Sequence, residues 1–468
     1  MVPLELDPRL TVTQWVAPEL GNCSYVVTVR GEGSSAVIDP LRDVDGYLAR
    51  LPRSEREVLL ALETHIHNDF ISGARELASS AGAEIGSSAV AELTYSHRPL
   101  RDREEVRLGG WKLQVLATPG HTPEHVSYLL VDPGGKPVAL FSGGALTVGG
   151  AGRTDLLGPL LARPLARDLH RSIHERLLHL PGDVRLLPTH GGGSFCSAEC
   201  TDRRVSTVRE EKASNPLIRA RTLDEFVSRI LEQGPFPQYF RRMRALNSAG
   251  VRLFGGACPT PRALGLEDFD RARAEGAIVL DTRTAPEHDQ AHVPGGYAIG
   301  ADGPMSAWVG WLFSPERAIL LLSRDEREAR EATRQLFRIG FDRVVGFLAG
   351  GFETWADAGR PVASTKLIEA PALVERLRSE EPLVVVDVRE AHEWFRGHVP
   401  GSLNIPLATL PQRSGEVPRD APVVVHCAYG YRADIAAGIL EQAGFTRVLR
   451  LVGGYEDWCA AASRRQPS

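Results

Sequence analysis

At 468 residues the chain is too long for one ordinary domain and has room for about three. Its apolar (43%) and charged (24%) fractions are those of globular domains. The net charge of −5, with no basic run, gives no electrostatic support for a nucleic-acid or anionic-membrane partner. No apolar run approaches the ~20 residues of a membrane span. Met1–Leu20 lacks the basic and apolar regions of a secretory signal, so a cytoplasmic location is expected. Six cysteines are too sparse for a disulfide framework. Cys196 and Cys200 lie close together, but no second pair completes a zinc spacing.

In the first half, short apolar segments alternate with polar loops. Ala36–Asp39, Val58–Leu62, Leu113–Leu116, Val138–Phe141 and Val184–Leu187 are predicted strands. The segment Thr64-His65-Ile66-His67-Asn68-Asp69-Phe70 follows one of them. Thr118-Pro119-Gly120-His121-Thr122-Pro123-Glu124-His125 follows a second, and Thr189-His190-Gly191 a third. A lone His-x-His says little. Three histidine loops, each just after a strand, point to a metal, because imidazole is a common ligand for iron and zinc. The candidate ligands lie among the histidines of these loops, His65, His67, His121 and His190, and Asp69 beside them. His125 is read as a hydrogen-bonding loop residue, and Cys196 as packing near the mouth of the site.

Beyond Ser214 the pattern changes to helices, predicted over Leu223–Gln233 and Tyr239–Asn247, before Gly255-Gly256 leads into new sequence. An internal repeat follows. Asp281-Thr282-Arg283 returns as Asp387-Val388-Arg389, His292-Val293-Pro294-Gly295 as His398-Val399-Pro400-Gly401, Gly340-Phe341 as Gly444-Phe445, and Trp355 as Trp458. In the second copy the strand Pro422–Val425 delivers Cys427, and the loop Cys427-Ala428-Tyr429-Gly430-Tyr431-Arg432 precedes a helix over Ala433–Gln442. Backbone N–H groups at a helix N-terminus stabilise a thiolate or an anionic persulfide sulfur. Arg432 adds charge and donors for an oxyanion. A register of 104 residues, set by the Gly-Phe pairs, places Ser323 opposite Cys427, Glu326 opposite Gly430 and Glu328 opposite Arg432. The first copy therefore lacks nucleophile, turn glycine and anion clamp, and is expected to serve as a spacer or docking surface.

The Cys427–Arg432 loop, with Gly397-His398-Val399-Pro400-Gly401 and Gly453-Gly454-Tyr455-x-x-Trp458, resembles rhodanese; the loop length is similar to that of the sulfurtransferases, one residue shorter than in rhodanese-like phosphatases. The histidine loops resemble the metallo-β-lactamase superfamily. Gly149-Gly150-Ala151-Gly152-Arg153-Thr154-Asp155 is similar to a stretch of its persulfide dioxygenases, for which rhodanese fusions are known. The resemblance implies an αβ/βα sandwich followed by two rhodanese-like α/β domains, over residues 1–255, 256–363 and 364–468. It also implies a mononuclear Fe(II) held by two histidines and an aspartate. His65 and His121 match, while Phe70 and Gly144 depart from the pattern and argue against a binuclear zinc hydrolase. His67 is expected to complete a three-histidine site, and Arg153 is a candidate substrate contact. Restoring a carboxylate at Gly144 is expected to tighten metal binding if the backbone there faces the site.

The implied substrates are a low-molecular-weight thiol persulfide, O₂, and thiosulfate or sulfite. Zinc, a homo-oligomer, a sulfurtransferase with a degenerate metal site, and a non-catalytic sulfide-stress scaffold remain open alternatives.

Overall fold

The computed structural model describes residues 1–379 and 381–464. Two compact units are present, Met1–Pro259 with Phe337–Gly340, and Thr260–Leu336 with Phe341–Ser468. None of the helices among the described residues is long and apolar enough to cross a membrane.

The first unit is built on two sheets. The predicted strands Ala36–Asp39 and Val58–Leu62 form as Ser34–Ile38 and Val58–Leu62, parallel neighbours inside a seven-stranded sheet. Pro137–Gly143 and Arg185–Pro188 are likewise parallel neighbours in a six-stranded sheet. Tyr25, Ile38 and Leu62 of one sheet share a core with Leu113, Tyr128 and Phe141 of the other, so the sheets stack face to face. Helix Pro159–Glu175 covers the outer face of the second sheet. Its buried Ala162, Leu165, Ala166, Leu169 and Ile173 recur at helical spacing, and the last three join Leu140, Leu186 and Phe226 in a second core. Helix Ala74–Ala81 packs on the first sheet. The result is the four-layered αβ/βα sandwich. A strand such as Val58–Leu62, buried between helix and sheet, has no polar face to show, hence its unbroken apolar run.

The second unit holds two five-stranded, all-parallel sheets with the same strand order. One runs Ala263–Leu264, Val344–Leu348, Ile319–Leu322, Ile278–Asp281, Tyr297–Ala298. The other runs Lys366–Ile368, Val448–Leu451, Val423–His426, Val384–Asp387, Leu403–Asn404. The sequence repeat is therefore a repeat of folds. Ser323 and Cys427 each follow the central strand of their sheet, as the register requires.

Candidate metal centre and sulfur-transfer loop

The three histidine loops leave their strands at one end of the sandwich and converge. His65, His121 and His190 are fully buried, with ligand atoms within 4.8 Å of one another. Their hydrogen bonds fix the tautomers. His121 Nδ1 lies 2.7 Å from the Arg153 carbonyl, which can only accept. His190 Nδ1 faces Asn22 Oδ1 at 3.0 Å, the Asn22 amide nitrogen being committed to Asp69 at 2.6 Å. His65 Nδ1 meets Thr64 Oγ1 at 2.8 Å, and that hydroxyl donates to Asp39 at 2.7 Å. Each Nδ1 therefore carries the proton, and three Nε2 lone pairs face one another. His65 Nε2 and His190 Nε2 are 3.3 Å apart, and the buried His121 Nε2 has no partner. Lone pairs so placed repel unless a cation or a proton lies between them. Burial pushes His121 and His190 down to about 3, and His65 well below its usual value. Neutral imidazoles remain, which is the form that binds metal.

His67 lies beside this cluster and belongs to two further groups of candidate ligands, one with Asp39 and His65 and one with Asp69 and His190. Its Nε2 lies 3.0 Å from Glu63 and 3.3 Å from Asp39. Burial opposes a charge there, but the Asp39 and Glu63 carboxylates outweigh it and raise His67 to about 10. His67 thus stands as a charge beside two buried acids, with neither ring nitrogen in a hydrogen bond of good geometry. His190 joins His65 and His121 in the all-imidazole group, with Asp69 Oδ1 buried and unpartnered nearby. Arg153 is likewise engaged rather than open to substrate. Its guanidinium binds Asp155 through two bonds of 2.7 Å and the Gly234 carbonyl at 2.9 Å, and stacks on Phe236. What it gives the site is its backbone carbonyl, which orients His121. His125 accepts from Gly144 N at 3.0 Å, as a loop-stitching residue should.

The helical extension holds the metal loop. Asn247, on helix Phe240–Ala249, donates to the carbonyls of His67 and Phe70, both at 2.8 Å, and accepts from Ser72 N at 2.9 Å. Tyr239 donates to the Asp69 carbonyl at 2.9 Å, and Arg244 pairs with the buried Glu124 through bonds of 2.9 and 3.0 Å. Asn22, Asp39, Glu63, Tyr239 and Asn247 were not singled out by sequence. Asp39 and Glu63 carried one signal, a carboxylate directly at the end of a buried strand.

In the second unit, strand Val423–His426 delivers Cys427, whose Sγ accepts from Gly430 N at 3.1 Å. Gly430 has φ +109°, a conformation L side chains rarely adopt, and it starts helix Tyr431–Gln442. A Cβ on Gly454 would meet the Ala428 carbonyl at 1.9 Å, so glycine there lets the loop pack. Cys427 is 1% exposed and Tyr429, at the loop tip, 83%. Arg432 is not a free anion clamp, because Glu393 holds its guanidinium through two bonds of 2.6 and 2.8 Å. In the first copy Glu328 turns inward, accepting from Thr282 Oγ1 at 2.7 Å, and the Ser323 hydroxyl lies 2.8 Å from that same oxygen.

Family models match both halves, the metallo-beta-lactamase superfamily over residues 17–190 and the rhodanese-like domain over residues 266–358 and 370–461. The human mitochondrial persulfide dioxygenase ETHE1 is 31% identical over 47% of this chain and 79% of its own length. The chain belongs to the persulfide dioxygenase family, joined to two rhodanese-like domains. A sulfurtransferase of Allochromatium vinosum is 37% identical over 19% of this chain and 85% of its own. A metallo-beta-lactamase structure from Staphylococcus aureus covers 72% of the fusion and 98% of its own chain, with 28% identity and a TM-score of 0.64. These relatives place the fusion in sulfur metabolism.

Two predictions arise from its departures from pattern. A Cβ on Gly144 would stand 2.3 Å from His121 Cδ2, so the imidazole occupies the space the missing aspartate needs. The backbone does face the site, but restoration is blocked. Gly144→Asp is expected to lower metal content rather than raise it, and to cost about 1–3 kcal/mol through overpacking, read by metal analysis and thermal unfolding. Ser323→Cys is expected to give below about a hundredth of the transfer rate carried by Cys427, because the buried Glu328 carboxylate lies across Thr282 from the new thiol and disfavours its thiolate. A thiosulfate:cyanide assay in a Cys427→Ser background reads this directly.

Proposed function

We propose that the fusion oxidises a low-molecular-weight thiol persulfide to sulfite at a mononuclear iron in the first unit, and moves sulfane sulfur through Cys427 in the second. The convergence of three Nε2 lone pairs from His65, His121 and His190 carries the first half of this reading. These residues would hold the metal, with Asp69 beside them; the all-imidazole set suits Fe(II) and also accommodates zinc. Bound there, Fe(II) supplies the O₂ chemistry that side chains lack. The chain's own residues orient and insulate. Thr64, Asn22 and the Arg153 carbonyl keep each imidazole proton on Nδ1, while His67 sets its charge against Asp39 and Glu63. In the overall reaction the outer sulfur is oxidised to sulfite, with O₂ as oxidant and water supplying the remaining oxygen, and the thiol is released with two protons.

At Cys427 the thiolate would attack the outer sulfur of thiosulfate. The new bond is Cys–S–S, the donor's S–S bond breaks, and sulfite leaves with the electron pair. The Gly430 N–H, 3.1 Å from Sγ, and the start of the following helix favour the anionic sulfur throughout. Sulfite and persulfide are common to both half-reactions, which gives the fusion its logic. The test is aerobic product analysis with a thiol persulfide. Sulfite formation with O₂ uptake is expected. Absence of uptake by metal-replete protein would leave sulfur transfer as the sole activity, and thioester hydrolysis with two zinc ions would overturn the dioxygenase reading.

A further inference from the structure

The Cys427 loop is not completed by its own copy of the fold. Arg450, buried in strand Val448–Leu451, has its Nη1 3.8 Å from where a Cβ on Gly430 would stand, and Gly430 is the residue whose N–H holds the sulfur. Arg450 Nε contacts Asp434 at 2.6 Å, on the helix that follows the loop. Its guanidinium also pairs, through Nε and Nη2, with Asp289, on helix Ala285–Gln290 of the first copy. Neither copy contains both members of this pair. Aligned on Gly340 and Gly444, Gly346 stands opposite Arg450; aligned on Asp281 and Asp387, Phe395 stands opposite Asp289. The two copies have diverged into complementary halves. The same contact brings the Tyr431 hydroxyl to the Gly300 carbonyl at 3.0 Å. It seats the Tyr431 ring where a Cβ on Gly303 would be, 2.3 Å from Cε2. A cleft of about 510 Å³ runs along the seam, lined by Arg283, Asp302, Tyr429, Gly430 and Arg450 among others.

We infer that Asp289, in the copy without a transfer cysteine, is a positioning residue for sulfur transfer, fixing the Arg450 guanidinium beneath the Cys427 loop. The inference rests on the reading of Cys427 as the transfer cysteine. Arg450 is a buried cation beside the loop, its Nη1 close to Gly430 while its carboxylate partners hold Nε and Nη2. A guanidinium is a rigid planar fork, and a single carboxylate leaves it free to swing. Asp434 meets Arg450 at Nε alone, which leaves the plane of the fork unset. Asp289 takes both Nε and Nη2 of the fork, and the first copy is part of the catalytic apparatus of the second.

The test uses the full chain and two readouts: thiosulfate:cyanide transfer, and the pH dependence of Cys427 alkylation followed on its peptide by mass spectrometry. Asp289→Asn keeps the shape and removes the charge. It is expected to lower kcat/KM for thiosulfate about tenfold, as a slight misplacement of a charged group does, and to displace the alkylation midpoint from its wild-type position. Asp289→Glu should restore most of both. In an Arg450→Gln background Asp289→Asn should add little, because its effect travels through Arg450. Glu441→Gln breaks a neighbouring contact between the copies, His292 to Glu441 at 3.3 Å, and should change neither readout. If Asp289→Asn does not fold, Arg450→Lys, which keeps the charge but not the fork, should show the same loss. Wild-type behaviour of either variant, or an equal loss in Glu441→Gln, overturns the inference. A wild-type protein without transfer would instead defeat the reading of Cys427, and alkylation would still report on Asp289.

Discussion

Replacing Cys427 by Ser is expected to abolish cyanide-dependent thiocyanate formation, a loss of roughly three orders of magnitude or more. A hydroxyl in the same cradle does not ionise near neutral pH and cannot carry a sulfane sulfur. Other thiols are poor substitutes. Burial pushes Cys23 up to about 11 and Cys196 well above its usual value, and it raises Cys200 as well, so all three stay protonated. Incubation with thiosulfate should add one sulfur atom to the Cys427 peptide of the wild-type protein and none in the variant. Oxygen uptake on a thiol persulfide should survive the substitution, since its site is the imidazole cluster. Full transferase activity in Cys427→Ser would move the nucleophile elsewhere.

The second large effect concerns the histidines. His65→Ala, His121→Ala and His190→Ala should each lose metal by more than about a hundredfold in affinity, beyond the 10–100-fold typical of a residue that only orients a ligand. His67→Ala is expected to act differently. It strands Asp39 and Glu63, both buried, without their shared cation, and should cost about 3–5 kcal/mol of stability with a smaller loss of metal. Metal analysis paired with denaturant unfolding separates the two behaviours. If His67→Ala strips the metal as completely as His65→Ala and leaves stability intact, the unpartnered His67 Nδ1 is a ligand, and the centre is His65, His67 and His121 after all.

The contrast between His67 and His190 shows what was legible in the sequence. The histidine loops, the Cys427 loop and the repeat could be read because each is contiguous, and a strand followed by a polar loop announces itself locally. Which imidazoles converge could not be read. The answer depends on Asn22, which meets His190 across 168 residues, and on Arg153, which meets His121 across 32. Arg432 looked like an open anion clamp because Glu393, its partner, lies 39 residues earlier in an unremarked helix. Gly144 was correctly seen to lack a carboxylate, but a sequence does not show that the His121 ring has taken the vacated volume. Arg153 was recognised as part of the site, with its contribution on the backbone rather than the side chain.

The grip of helix Phe240–Ala249 on the metal loop has a consequence for how the first unit breathes. Between strand Val58–Leu62 and helix Ala74–Ala81 the chain runs without regular structure. The carbonyls of His67, Asp69 and Phe70 find their donors on Asn247 and Tyr239 rather than in a sheet ladder. A fluctuation that frees the helix leaves those buried carbonyls unpaired, so loop and helix open and close as one cooperative foldon with a common opening free energy. The histidines are spread over the first 190 residues, yet the rigidity of their loop is set by a segment beginning near residue 239. A fragment ending after His190 would retain every candidate imidazole and lose the restraint that keeps the loop in register.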